Sequence, residues 1–333
     1  MILSRFPNVP LLETLEIQVR GNYVKELITI DLSEPLPLSA LYLIDFPTHF
    51  HFSDAMQNNL RNIGGRNGML YLTLNDCFQC LVHCPFIEEF KVVTVDDLHT
   101  NLPTAMIELP NIKLFEISCP RGGDISSLFN ALYLPAMENF EFLASSASSP
   151  LQCPWSSIAR MLPQSPKLRI LTIHTAPVVA EDLVKCLANT PGLQYLDLQN
   201  ILNGNGIISL LTLHRLSGGM VDGLTPKLKR ILLDFTSHTD QISTTAVAEM
   251  ILSRCQSDAD DTYVDESTVG GAHSQTGIHP TSQQTLEDVR LGSISEFTAE
   301  SLTTQFPELV DTVTQVEIMI ENDTRNCGRL LFL

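Results

Sequence analysis

Three groups of residues have the types and spacing that chemistry would need. The stretch CFQCLVHC, residues 77–84, sets Cys77, Cys80 and Cys84 beside His83. Thiolate and imidazole are zinc ligands, and a closed zinc site takes four of them. No second Cys or His pair follows at ligand spacing. On a helix, Cys77, Cys80, Leu81 and Cys84 fall at i, i+3, i+4 and i+7, which is a single apolar stripe. Cysteine packs there as a small hydrophobe, so a core role is expected.

The stretch THFHFSD offers His49, His51 and Asp54 as the opening of a metallo-hydrolase motif. The aspartate–histidine pair that would complete it is missing, and a surface loop is expected instead. The acids at 258, 260, 261, 265 and 266 suggest calcium. An EF-hand loop counted from Asp258 needs glycine sixth and glutamate twelfth, where Tyr263 and Val269 stand. The glycine groups GGRNG (64–68), NGNG (203–206) and SGGMVDG (217–223) form no phosphate-binding loop, and no G-x-S-x-G elbow occurs. No catalytic, cofactor-binding or metal-binding set is expected. An enzyme, as a hydrolase with scattered catalytic residues, is the third-ranked reading.

The elements carrying these residues repeat. PGLQYLDLQN, residues 191–200, spaces Leu193, Leu196 and Leu198 as L-x-x-L-x-L. The same spacing opens at Leu12, Leu38, Met69, Ile87, Ile112, Met137, Leu168, Leu193, Leu228, Leu286 and Val313, mostly about 25 residues apart. In most of these rungs proline lies two residues ahead, as at Pro10, Pro85, Pro110, Pro135, Pro166, Pro191 and Pro226. Between rungs, Ile125, Leu128, Phe129 and Leu132 show the spacing of a helix with one buried face, as do Ala180, Leu183, Val184 and Leu187. Further helices are expected over 53–63, 155–162, 206–213 and 244–252.

A short strand, a turn and a helix fit a period near 25. Parallel strands need such crossovers, which are almost always right-handed. The expected fold is α/β: one right-handed solenoid or horseshoe of about eleven irregular repeats over 1–333, with a parallel concave sheet and outer helices. Residues 256–283, polar and acidic with little to bury, are expected to form a disordered loop inserted in one repeat.

These rungs resemble the leucine-rich repeats of fungal F-box proteins, in which P-x-L-x-x-L-x-I/L/V followed by a helix recurs. The resemblance covers roughly residues 7–320. It implies the substrate-recognition arm of a ubiquitin ligase, or a fragment of one, with the ligase adaptor as partner if an F-box precedes it. No F-box is visible ahead of Leu12. The alternative is a free-standing repeat scaffold unconnected with ubiquitin.

Twenty basic against 38 acidic residues give a net charge of −18. That excludes nucleic acid and anionic membrane as expected partners and favours a protein with a basic or neutral segment. No signal peptide or membrane span is visible, and eight cysteines then read as reduced thiols of a cytoplasmic or nuclear protein.

In each rung the residues flanking the buried positions point to the concave surface. The protein-binding residues expected there are Tyr42, Tyr71, Lys91, Glu116, Glu141, His174, Tyr195 and Asp197. Its central column should run Lys91, Glu116, Glu141, Thr172, Asp197. Tyr71, Glu116, Glu141, Tyr195 and Asp197 should form one continuous strip for a Lys- or Arg-bearing segment.

Overall fold

The computed structural model describes residues 2–3, 13–18, 27–33, 38–44, 47–53, 58–64, 70–95, 105–119, 125–144, 155–174, 178, 180–201, 204–215, 221–235, 242–255, 286–292, 299–307, 309 and 317–321. The 256–283 segment lies outside them.

Alternating apolar residues build a sheet of twelve strands whose neighbours are all parallel. In chain order the strands are Thr14–Gln18, Ala40–Ile44, Asn62–Gly64, Leu70–Leu72, Glu89–Thr94, Leu114–Cys119, Asn139–Ala144, Ile170–His174, Tyr195–Ile201, Arg230–Phe235, Asp288–Gly292 and Glu317–Glu321. Sheet order follows chain order throughout, with Leu70–Leu72 lying off the main path against Glu89–Thr94.

Among the described residues seven helices accompany the sheet: α1 (Leu74–His83), α2 (Ser126–Ala131), α3 (Trp155–Met161), α4 (Ala180–Leu187), α5 (Gly204–Leu211), α6 (Thr244–Cys255) and α7 (Ala299–Gln305). From α2 to α6 each packs on the next, so these helices share one face of the sheet. Between the layers runs one apolar core, from Ile28 to Leu309. Leu171, Leu196 and Ile231, the first inward residues of three adjacent strands, are all fully buried in it.

Hydrogen bonds fix which residues are equivalent. In strand after strand, one backbone carbonyl accepts from the two N–H groups that open the next: Glu13, Ser39, Arg61, Glu88, Lys113, Glu138, Arg169, Gln194 and Lys229. From Arg61 to Arg169 the side chains of this ladder alternate in charge. Glu88 binds Arg61 at 3.0 Å and Lys113 at 2.7 Å, and Lys229 binds Glu287 at 2.8 Å. Lys113, chiefly by its hydrogen bond, holds the Glu88 carboxyl below its ordinary pKa. Each exposed pair is worth little.

The ladder corrects two rungs. The third begins at Leu60, with Arg61 in the ladder and Asn62–Gly64 as its strand; the expected Met69 rung supplies only its far half, Leu70–Leu72. The last strand is Glu317–Glu321, two residues later than the Val313 rung places it, because Asp288 pairs with Glu317 and Arg290 with Met319.

The outer layer differs near the N-terminus. A separate parallel sheet of Ile2–Leu3, Ile28–Leu32 and Thr48–Phe52 forms there, and α1 packs on its last strand. THFHF is therefore a strand rather than a loop: Thr48 and Phe50 are buried while His49 and His51 are exposed. The helix expected over 53–63 is absent from the described part, where Asn58–Arg61 is irregular and Asn62 starts a strand. Helix α1 begins at Thr73, whose hydroxyl accepts from the Asp76 N–H at 3.1 Å. Its Cys77, Cys80, Leu81 and Cys84 stripe is fully buried, as packing requires. Burial drives all three thiols up, Cys84 to about 12, which leaves them unreactive.

Gly64 has a packing reason. A Cβ there would lie 2.8 Å from the Lys91 Cβ and 2.9 Å from the Lys91 carbonyl. Gly64→Ala is expected to cost about 1–3 kcal/mol, the usual cost of overpacking. Urea denaturation checks this, and a cost under about 0.5 kcal/mol, typical of an ordinary surface change, would contradict the close approach.

Candidate binding face

Because every second side chain of a strand is committed to the core, the intervening ones fall in rows across the face away from the helices. Register places Lys91 beside Glu116, Glu116 beside Glu141, Glu141 beside Thr172 and Thr172 beside Asp197. The expected central column therefore holds in register, although Thr172 and Asp197 are themselves buried. Towards the N-terminus it continues through Gly64 and Tyr42 to Glu16, and beyond Asp197 through Leu232 to Arg290.

Tyr42 thus belongs to this row, separated from Lys91 by the bare Gly64. Tyr71 does not. It pairs with Val93 and bridges Pro47, in the adjacent row, because its strand fills the far half of the rung. Thr73, two residues on, caps α1, so the strand ends there. The continuous strip consists of the Lys91–Asp197 row with Tyr195, without Tyr71.

Glu116 and Glu141 face each other across neighbouring strands. The Glu116 carboxyl is raised in pKa, first by burial, then by the charge of Glu141, with Lys91 opposing. Asn139 steadies Glu141 by donating its amide to Oε1 at 3.0 Å. Two adjacent carboxylates, one half-buried, are a site at which an incoming cation replaces repulsion with attraction.

Three expected binding residues form a tighter group. His174 Nε2 lies 3.0 Å from Asp197 Oδ1, with side chains only 7% and 5% exposed. Tyr195 donates its hydroxyl to Asp197 Oδ2 at 3.4 Å. Burial and the Asp197 charge push the phenol well above its ordinary pKa, so it stays protonated as the donor. The expectation that His174 and Asp197 lie open on the surface is corrected: both are buried. A buried carboxylate needs partners: the Tyr195 hydroxyl donates to it, and the His174 ring nitrogen lies at ion-pair distance. Here Asp197 organises the face rather than presenting a free charge.

Arg290 was not among the singled-out residues. Its Nε lies 3.2 Å from Asp288 Oδ2, and its charge reaches Tyr195, where it opposes the rise in pKa. Its outward place in the Leu286 rung is the signal that could have found it. Asn139, at the first outward position of its rung, could have been found in the same way.

Among the described residues no group of three or more His, Cys, Asp or Glu could hold a metal ion. No helix described is long and apolar enough to cross a membrane. No family model, no curated protein and no solved structure matches this chain.

Proposed function

We propose that the chain is a leucine-rich-repeat solenoid of the right-handed, horseshoe kind, and that it binds a protein segment bearing lysine or arginine on its concave sheet face. The observation that carries this reading is the row Lys91, Glu116, Glu141, Thr172, Asp197. It holds two adjacent carboxylates with no structural need to be neighbours. Tyr42 and Tyr195, half-buried on the same face, supply the rigid amphipathic contact area common at interface hot spots. The uninterrupted strand order and the shared helical face are what stacked repeats produce.

The narrower role, as the substrate-recognition arm of an F-box-type ubiquitin ligase or a fragment of one, rests on the P-x-L-x-x-L pattern alone. Co-purification with the ligase adaptor would support it, and its repeated absence would favour the free-standing scaffold. Cys77, Cys80, Cys84, Cys119, Cys186 and Cys255 are free thiols, in keeping with a reducing compartment such as cytoplasm or nucleus.

A photo-crosslinking amino acid tests the face directly. Placed at Tyr42 or Tyr195 it should trap the partner, whereas at Phe86, exposed beyond the end of α1, it should not. Adducts from Phe86 alone would move the binding site to the outer layer.

A further inference from the structure

The outer layer carries a pair of imidazoles that the binding face does not use. In Thr48–Phe52 the side chains alternate, so His49 and His51 stand on the same exposed face, about 6.6 Å apart along the strand. His49 is not free to turn. Its Nδ1 lies 2.7 Å from Asp76 Oδ1, and that carboxylate is only 2% exposed. The second Asp76 oxygen accepts from the Thr73 hydroxyl at 2.6 Å.

An ionised carboxylate only accepts hydrogen bonds, so Nδ1 carries the proton and the Nε2 lone pair is left at the other end of the ring. A carboxylate behind Nδ1 with the opposite nitrogen available is the arrangement that orients metal-ligating histidines and raises their basicity. Capping α1 does not require it, since Thr73 and Asp76 complete that cap between themselves. Beside the pair, Asp31 is the cross-strand neighbour of His51. It adds negative charge, with Oδ1 held by the Ser33 N–H at 3.0 Å.

We propose that His49 Nε2 and the His51 imidazole chelate one late first-row divalent ion. Nitrogen donors of this kind suit copper, nickel and zinc, and Cu2+ binds most tightly in that series. With two protein ligands, water fills the remaining positions and the ion exchanges freely. A closed four-ligand structural site would hold it instead. The site is independent of the proposed partner surface.

The test uses the full chain without an affinity tag and Cu2+ alone as the probe. Calorimetric titration should show one dominant equivalent, and electron paramagnetic resonance should show two coordinating nitrogens. His49→Ala and His51→Ala should each lower affinity at least tenfold and reduce the coupling to one nitrogen. Asp76→Asn should weaken binding roughly ten- to a hundredfold while both nitrogens remain, with circular dichroism confirming the fold. His214→Ala, at an exposed histidine elsewhere, should change nothing. Unchanged affinity in either the His49 or the His51 variant, or an equal loss in the His214 variant, would overturn the chelate.

Discussion

Phe115→Ala is expected to destabilise the protein by about 3–5 kcal/mol, the range for removing a large aromatic ring from a packed core. Phe90, Phe115 and Phe140 occupy the same inward position of three successive strands and are fully buried. Their rings stack with centroids 5.7 Å and 6.2 Å apart. Phe129 of α2 meets Phe115, Phe140 and Phe142 edge-on, at 6.4, 5.7 and 5.9 Å. Phe115 therefore has aromatic partners on both sides and above it, and a cavity there cannot collapse without shifting two strands and a helix. Equilibrium urea denaturation measures the loss. Phe86→Ala, 46% exposed, should stay within about 0.5 kcal/mol of the parent, and equal effects from the two would contradict this core.

Arg254→Ala is expected to cost about 3–4 kcal/mol. Arg254 is 6% exposed, and its guanidinium donates from Nε to the Leu211 carbonyl at 2.6 Å, from Nη1 to Thr225 at 3.1 Å and from Nη2 to Leu224 at 3.0 Å. Hydrogen bonds to charged groups contribute about 1.5–3 kcal/mol each, less than additively. Burial draws its pKa down to about 10, which still leaves it charged at neutral pH. The clamp also holds a strained turn. Thr225 has φ 52°, a left-handed backbone that β-branched residues avoid. Arg254→Lys restores the charge but not the three-way fork, so an intermediate loss is expected. Thermal or urea unfolding decides. A loss no greater than that of Arg160→Ala, at an exposed arginine, would show that the three carbonyls find other donors.

The rung pattern could be read because burial forces it. Leu193, Leu196 and Leu198 are apolar at fixed spacing since all three lie fully inside the core. The same logic misled at residues 60–72. MLYLTL fits the apolar spacing better than LRNIGG, yet only the latter carries a ladder residue, Arg61, to meet Glu88. At the C-terminal rung, Val313, Val316, Ile318 and Ile320 support two registers in sequence, and pairing with Asp288–Gly292 selects one.

The N-terminal outer strands alternate visibly in ITIDL and THFHF, but neither carries the L-x-x-L-x-L spacing of a rung, and THFHF reads as a surface loop when only its histidines are weighed. The His174–Asp197 pair had no sequence signal. The two residues share no local motif, and only the parallel register brings them together.

The reading that the sheet face captures a basic segment is tested most directly by reversing Glu116 and Glu141 to lysine and titrating the partner obtained by affinity capture. That variant lines up like charges from position 91 to 141 and should weaken binding by about 2 kcal/mol or more, roughly thirtyfold. Because burial and Glu141 raise the Glu116 pKa, partner affinity of the parent should also begin to fall on acidification before ordinary carboxylates titrate. Reversing Glu181 and Asp182 on α4 changes net charge equally and should leave affinity nearly unchanged. Equal losses from the two pairs, or no loss from Glu116 and Glu141, would contradict the account.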